Sequence, residues 1–167
     1  MAEAEARERY WPTRALPAYA YTPGLTPHPL RDPAGHSFAD NAKPPSCPPP
    51  ERWREDQSWL YGVDLYNHGY FWEAHETWET CWHSVAASPP HRDLIQGLIQ
   101  LAAACLRRRM EPNRGGLSVG RRALVKLERA RSELGAGVLG VDVDSLISRA
   151  RTYLEGDGDF PFIHLAP

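Results

Sequence analysis

The chain has 167 residues, 42% of them hydrophobic and 24% charged, with a formal net charge of -2. That is enough for one ordinary domain with a core that needs no staples, and the near-neutral charge excludes a global pull toward nucleic acid or anionic membranes. Three cysteines without a C-x-x-C pair, Cys47, Cys81 and Cys105, argue against a disulfide framework or a four-cysteine zinc site and for reduced thiols.

Residues 1–9 are charged and lack the apolar run of a secretory signal, and no stretch approaches the roughly 18 apolar residues of a membrane span. A cytoplasmic protein with no membrane partner is the expectation. Eleven of the sixteen prolines fall within residues 1–50, which removes backbone donors and helical freedom there. This segment reads as an extended arm, and Tyr10, Trp11, Tyr19, Tyr21, Leu25 and Phe38 give it apolar anchors with which to dock on a helical domain at residues 51–167.

Helical spacing begins after Pro50. Trp59, Leu60, Val63 and Tyr66 recur at intervals of three and four, and Gly69 suits a left-handed cap. A second helix is predicted over residues 70–87, stopped by Pro89 and Pro90, and a third over residues 92–110, stopped by Pro112. A fourth, residues 115–134, carries Leu117, Leu124, Leu127 and Leu134 on one stripe and ends in a glycine-rich run over residues 135–140. Asp142 or Asp144 can cap a fifth, and the apolar tail over residues 159–165 is expected to pack. The fold class is therefore all-α, a compact array of about five helices with a proline-rich extended N-terminal arm, the second and third helices forming its central hairpin. No alternating strand pattern competes.

The second helix mixes aromatics with acids and imidazoles. At 100° per residue Phe71, Ala74, Trp78, Cys81 and Trp82 share an apolar arc with His75 inside it, Glu79 at its edge, Glu76 and His83 just beyond, and Glu73 and Thr77 pointing away. His75, Glu79 and His83 stand at i, i+4 and i+8, a ladder able to ligate a divalent metal. His75-Glu76-Thr77-Trp78-Glu79 lacks the second histidine of the zinc-protease motif, and the Glu-x-x-His pairs of di-iron bundles are absent.

Gln96 and Gln100 interrupt the apolar run of the third helix and need partners if buried, so a network with His75 and Glu79 is expected between the two helices. Small Gly97, Ala103 and Ala104 would let a neighbouring helix approach. Trp78, Trp82 and Tyr70 are candidate walls of a small-molecule pocket, and His28 and His36 on the arm could be brought to its mouth. A basic strip, Arg107, Arg108, Arg109, Arg114, Arg121, Arg122, Lys126, Arg129 and Arg131, is more simply a solvated helix face than a nucleic-acid surface.

The run Tyr61-Gly-Val-Asp-Leu-Tyr-Asn-His-Gly-Tyr-Phe-Trp-Glu-Ala-His-Glu-Thr-Trp-Glu79 with Trp82, continued by Arg92-Asp-Leu-Ile-Gln-Gly-Leu-Ile-Gln-Leu-Ala-Ala-Ala104 and Asn113-Arg-Gly-Gly116, closely resembles the bacterial domain of unknown function 309 family over about residues 55–135. The proline-rich stretch over residues 19–37 looks like an extension carried by some members. The resemblance implies a compact all-helical fold and assigns neither an activity nor catalytic residues.

Two function classes follow. One is a small-molecule or metal-binding site, possible hydrolysis included, with His75, Glu76, Glu79, Gln96 and Gln100 as its polar groups, Glu79 or His75 as general base, and a divalent metal on His75, Glu79 and His83 as the candidate cofactor. The other is a non-catalytic helical module that binds a protein or nucleic-acid partner. The aromatic load exceeds what one small core needs, so a homodimer is also open.

Overall fold

In the computed structural model the described residues are 8–41, 48–84, 88–112, 115–156 and 158–167. A 3-10 turn, Pro50–Glu55, leads into five helices: α1 (Gln57–Asn67), α2 (Phe71–Ser84), α3 (Pro89–Met110), α4 (Leu117–Leu134) and α5 (Val143–Glu155). Asp56 caps α1 by accepting from the Trp59 amide at 2.9 Å, and Asp142 caps α5 by accepting from Ser145 at 3.0 Å, satisfying helix-start donors that would otherwise be orphaned. Gly69, at φ 82°, turns the chain out of α1 in the left-handed conformation that glycine adopts without strain. None of the helices over the described residues is long and apolar enough to cross a membrane.

Packing places α1 at the centre: every residue from Ser58 to Asn67 is buried. The expected pairing of the second and third helices is present, α2 packing on α3 as extensively as on the buried α1, while α3 and α4 form the most extensive helix pair. Trp59, Trp78, Tyr66, Leu94, Leu98 and Leu127 are among the largest fully buried side chains, each contributing about 1.5–3 kcal/mol through burial. Gly97 permits the close approach of α3 and α4, since a Cβ there would lie 2.9 Å from the Leu127 side chain.

Two boundaries differ from expectation for identifiable reasons. Pro89 and Pro90 open α3 instead of merely ending α2, because a proline in the first turn gives up an amide that has no helical acceptor. The expected end of the second helix at Ala87 lies outside the described residues. The glycine-rich run after α4 is a small antiparallel hairpin, β1 (Gly137–Val138) with β2 (Val141–Asp142). Leu139 and Gly140 both have positive φ, 50° and 79°, as a two-residue turn of the primed type requires. Trp59 Nε1 donates to the Leu139 carbonyl at 3.2 Å, tying the hairpin to α1.

Extended segments at both ends of the chain are fastened by polar side chains of α1 and α2. Asn67 pairs with Ile163 in both directions, donating to its carbonyl at 2.8 Å and accepting its amide at 2.9 Å, which fixes the tail. Asp64, with its side chain wholly buried, accepts the amides of Tyr10 at 2.7 Å and Trp11 at 2.9 Å and meets Arg9 at 3.3 Å. Tyr61 and Tyr70 donate to the carbonyls of Ala15 and Pro17 at 2.9 and 3.0 Å. Tyr10, Trp11 and Leu16 pack on the core, whereas Leu25, expected as an anchor, is 82% exposed and Phe38 is 47% exposed. The arm is held chiefly through its backbone, so apolar side chains were an incomplete guide to its anchors.

Candidate functional site

Helix α2 presents polar groups along two edges. Its core face is Phe71, Ala74, Trp78 and Cys81, all buried. His75 lies at the rim of that face: its side chain is 28% exposed, so it does not enter the core as expected. The imidazole is flanked by carboxylates on both nitrogens, with Nδ1 at 3.3 Å from Glu76 and Nε2 at 3.6 Å from Glu79. Nδ1 is buried and has no aligned hydrogen-bond partner. The neighbouring Glu76 carboxylate, and then Glu79, raise the pKa of His75, against an opposing effect of burial.

One donor atom from each of His75, Glu76 and Glu79 can be chosen so that all three lie within 4.8 Å of one another. A tetrahedral ion with bonds of about 2.1 Å needs ligands about 3.4 Å apart, so small rotations of the carboxylates would close the set. Both carboxylates are close to half-exposed and have room to make that movement. His83, the third rung of the expected ladder, is exposed, stands against the Trp82 ring at 4.9 Å and is outside this group; Glu76 takes the place expected for it.

The opposite edge holds Glu73, which helical periodicity assigned to solvent. Its side chain is only 6% exposed because the arm covers it. Oε1 accepts the Tyr21 amide at 2.8 Å and contacts His36 Nε2 at 3.0 Å, while Oε2 is buried without a hydrogen-bond partner. His36 therefore serves Glu73, not the His75 cluster, and His28 lies against Tyr21 and Trp72 with ring centroids at 5.2 and 5.5 Å. Neither arm histidine is among the residues grouped with His75, because Glu73 and His75, two positions apart, face different sides of the helix.

The expected inter-helix network is also rearranged. Among the described residues no hydrogen bond joins Gln96 or Gln100 to His75 or Glu79, whose partners are on α2 itself. Gln100 Oε1 is buried without a partner. Trp78 belongs to the core at 0% exposure, whereas Trp82 is partly buried beneath the Arg92 guanidinium, 4.5 Å from its ring. Tyr70 is committed to the arm, as described above.

Much of the basic strip is tied down. Lys126 and Arg129 flank Asp93 at 2.7 and 3.5 Å, Arg131 meets Asp144 at 2.8 Å, Arg108 lies over Tyr153 and Arg109 over Phe71. Arg114 lies outside the described residues, as does Cys47. Cys81 and Cys105 are buried thiols, and burial pushes Cys105 up to about 12.

The family model described as Domain of unknown function (DUF309) matches residues 59–119. Over those residues the chain is similar to that family. The DUF309 match runs from α1 into the start of α4 and includes Asp64, Asn67, Glu73, His75, Glu76 and Glu79; His28 and His36 on the arm lie outside it. No curated protein and no solved structure matches the chain.

Sequence reasoning missed Asp64, Asn67 and Glu73 as buried cleats for the arm and tail. For Asp64 and Asn67 the available signal was their place as the two polar residues of the otherwise apolar run over residues 59–67, since such groups are buried only with partners; Glu73, among the other acids of α2, gave no such signal.

Proposed function

We propose that this chain binds a divalent cation at the exposed edge of α2, through His75, Glu76 and Glu79. The observation that carries the reading is the clustering of their donor atoms within 4.8 Å, around an imidazole whose two nitrogens face carboxylates at 3.3 and 3.6 Å. One imidazole and two carboxylates are a donor set suited to zinc, manganese or iron. Three protein ligands at a half-exposed position leave coordination places for water and for a small molecule, which supports Lewis-acid chemistry such as hydrolysis. Buried cysteine thiols at Cys81 and Cys105 support a reducing, cytoplasmic setting.

Calorimetric titration of the full chain with zinc or manganese tests the proposal. One ion per chain is expected, with His75→Ala abolishing uptake and Glu79→Gln weakening it about tenfold or more. A chain that takes up no divalent ion, and whose melting temperature does not respond to one, would instead support a non-catalytic helical module that engages a protein partner.

A further inference from the structure

The arm brings a serine hydroxyl onto the Glu73–His36 pair. His36 Nε2 contacts Glu73 Oε1 at 3.0 Å, and His36 Nδ1 contacts Ser37 Oγ at 2.8 Å. With a carboxylate on Nε2, the neutral ring carries its proton there, and Nδ1 is then the acceptor to which the Ser37 hydroxyl donates. The ring is held in place from several sides. The Tyr19 hydroxyl accepts the His36 amide at 3.2 Å and donates to the Pro27 carbonyl at 2.8 Å, and the Tyr19 ring packs edge-on against the imidazole at 4.8 Å. The Tyr21 amide fixes Glu73.

The His36 and Glu73 side chains are each only 6% exposed, while Ser37 is half-buried. Ala39, two residues on, has a φ of 58°, a conformation that costs a non-glycine residue and is concentrated at functional sites. Leu30 and Phe38, beside this turn, expose 49% and 47% of their surface and offer apolar contact to an incoming group.

From this geometry we infer that Ser37 is a nucleophile activated by His36 and positioned by Glu73, acting on small esters with an apolar acyl group. Ser37 Oγ attacks the ester carbonyl carbon while its proton passes to His36 Nδ1, and the imidazolium so formed faces the buried Glu73 carboxylate. Collapse of the tetrahedral adduct breaks the bond to the alcohol, which leaves with the proton from Nδ1. Water then attacks the acyl-serine, gives its proton to Nδ1 and releases the carboxylic acid, and Oγ recovers the proton. The two halves sum to ester plus water giving acid plus alcohol. Glu73 is a positioning residue, because it touches the imidazole and not the substrate. This site is separate from the His75 cluster and stands or falls independently of cation binding.

The test is labelling of the full chain with an alkyl fluorophosphonate, read by peptide mass mapping, together with hydrolysis of p-nitrophenyl acetate. Adduct is expected on Ser37 and not on the exposed Ser118 or Ser132. Ser37→Ala, which removes a single hydroxyl, should abolish both labelling and hydrolysis with the melting temperature unchanged. His36→Gln should slow labelling of an intact Ser37 on the order of 10²-fold. Glu73→Gln should slow labelling without preventing it. Labelling of Ser37 no faster than that of Ser118, or wild-type ester hydrolysis by Ser37→Ala, would overturn the assignment.

Discussion

The two edges of α2 carry the same kinds of side chain in different surroundings. Glu73 is buried beneath the arm against the arm's own His36, the pair fixed by the Tyr21 amide and by Tyr19, while His75, Glu76 and Glu79 stand at the rim with their carboxylates reaching water. Burial makes an interaction costly to lose, because a group stripped of its partner cannot turn to solvent. Exposure makes it cheap to lose and free to exchange partners. The covered edge therefore carries stability and the Ser37 relay, and the open edge is where an ion from solution can enter.

The largest break in this comparison is Glu73→Ala. It leaves the His36 imidazole and the Tyr21 amide buried without their acceptor, and a loss of about 3 kcal/mol is expected in urea unfolding, with faster proteolysis of the arm. Asp64→Ala follows, at about 2–3 kcal/mol, because two backbone amides of the arm lose a buried acceptor. A cost near zero for both would mean that the arm is not fastened by these cleats.

Alkaline titration supplies a control that depends on neither edge. Burial raises the Cys105 thiol and the Tyr153 hydroxyl to about 12, each from a lower ordinary value, and raises Tyr66 as well. The unfolded chain releases these protons at lower pH than the folded one, so stability should decline as pH climbs from the ordinary thiol value toward about 12, seen as a falling melting temperature. In the native state Cys105 should also resist thiol reagents at mildly alkaline pH. The smallest effect belongs to the open edge: without added metal, His75→Ala should cost no more than about 0.5–1 kcal/mol, in keeping with a part-exposed ion pair. A cost as large as that of Glu73→Ala would erase the distinction between the edges.

Much of the fold was legible in the sequence because α3, α4 and α5 obey helical periodicity and α5 carries its cap, Asp142. The hairpin was not, since its turn uses Leu139-Gly140 where Asn-Gly or Asp-Gly is the common signal. At the site, helix geometry put Glu79 at the edge of the apolar arc and Glu76 just beyond it, but put His75 inside the arc, whereas its side chain lies at the rim, 28% exposed. The burial of Glu73 does not follow from helix geometry, because a helical wheel records only its own helix, and what buries Glu73 is a segment 37 and 52 positions away in the chain. Long-range cover by an extended arm leaves no periodic trace. The serine beside His36 could be read as a sequence neighbour, but its place in a relay depends on Glu73 arriving from α2.

The most direct test of the account is nitrogen-detected NMR of the histidine rings while zinc is added to the full chain. The account predicts that about one equivalent shifts the ring nitrogens of His75, with His36 left on Glu73 and unmoved. Unchanged His75 signals under saturating zinc, or a response that begins at His36, would contradict it.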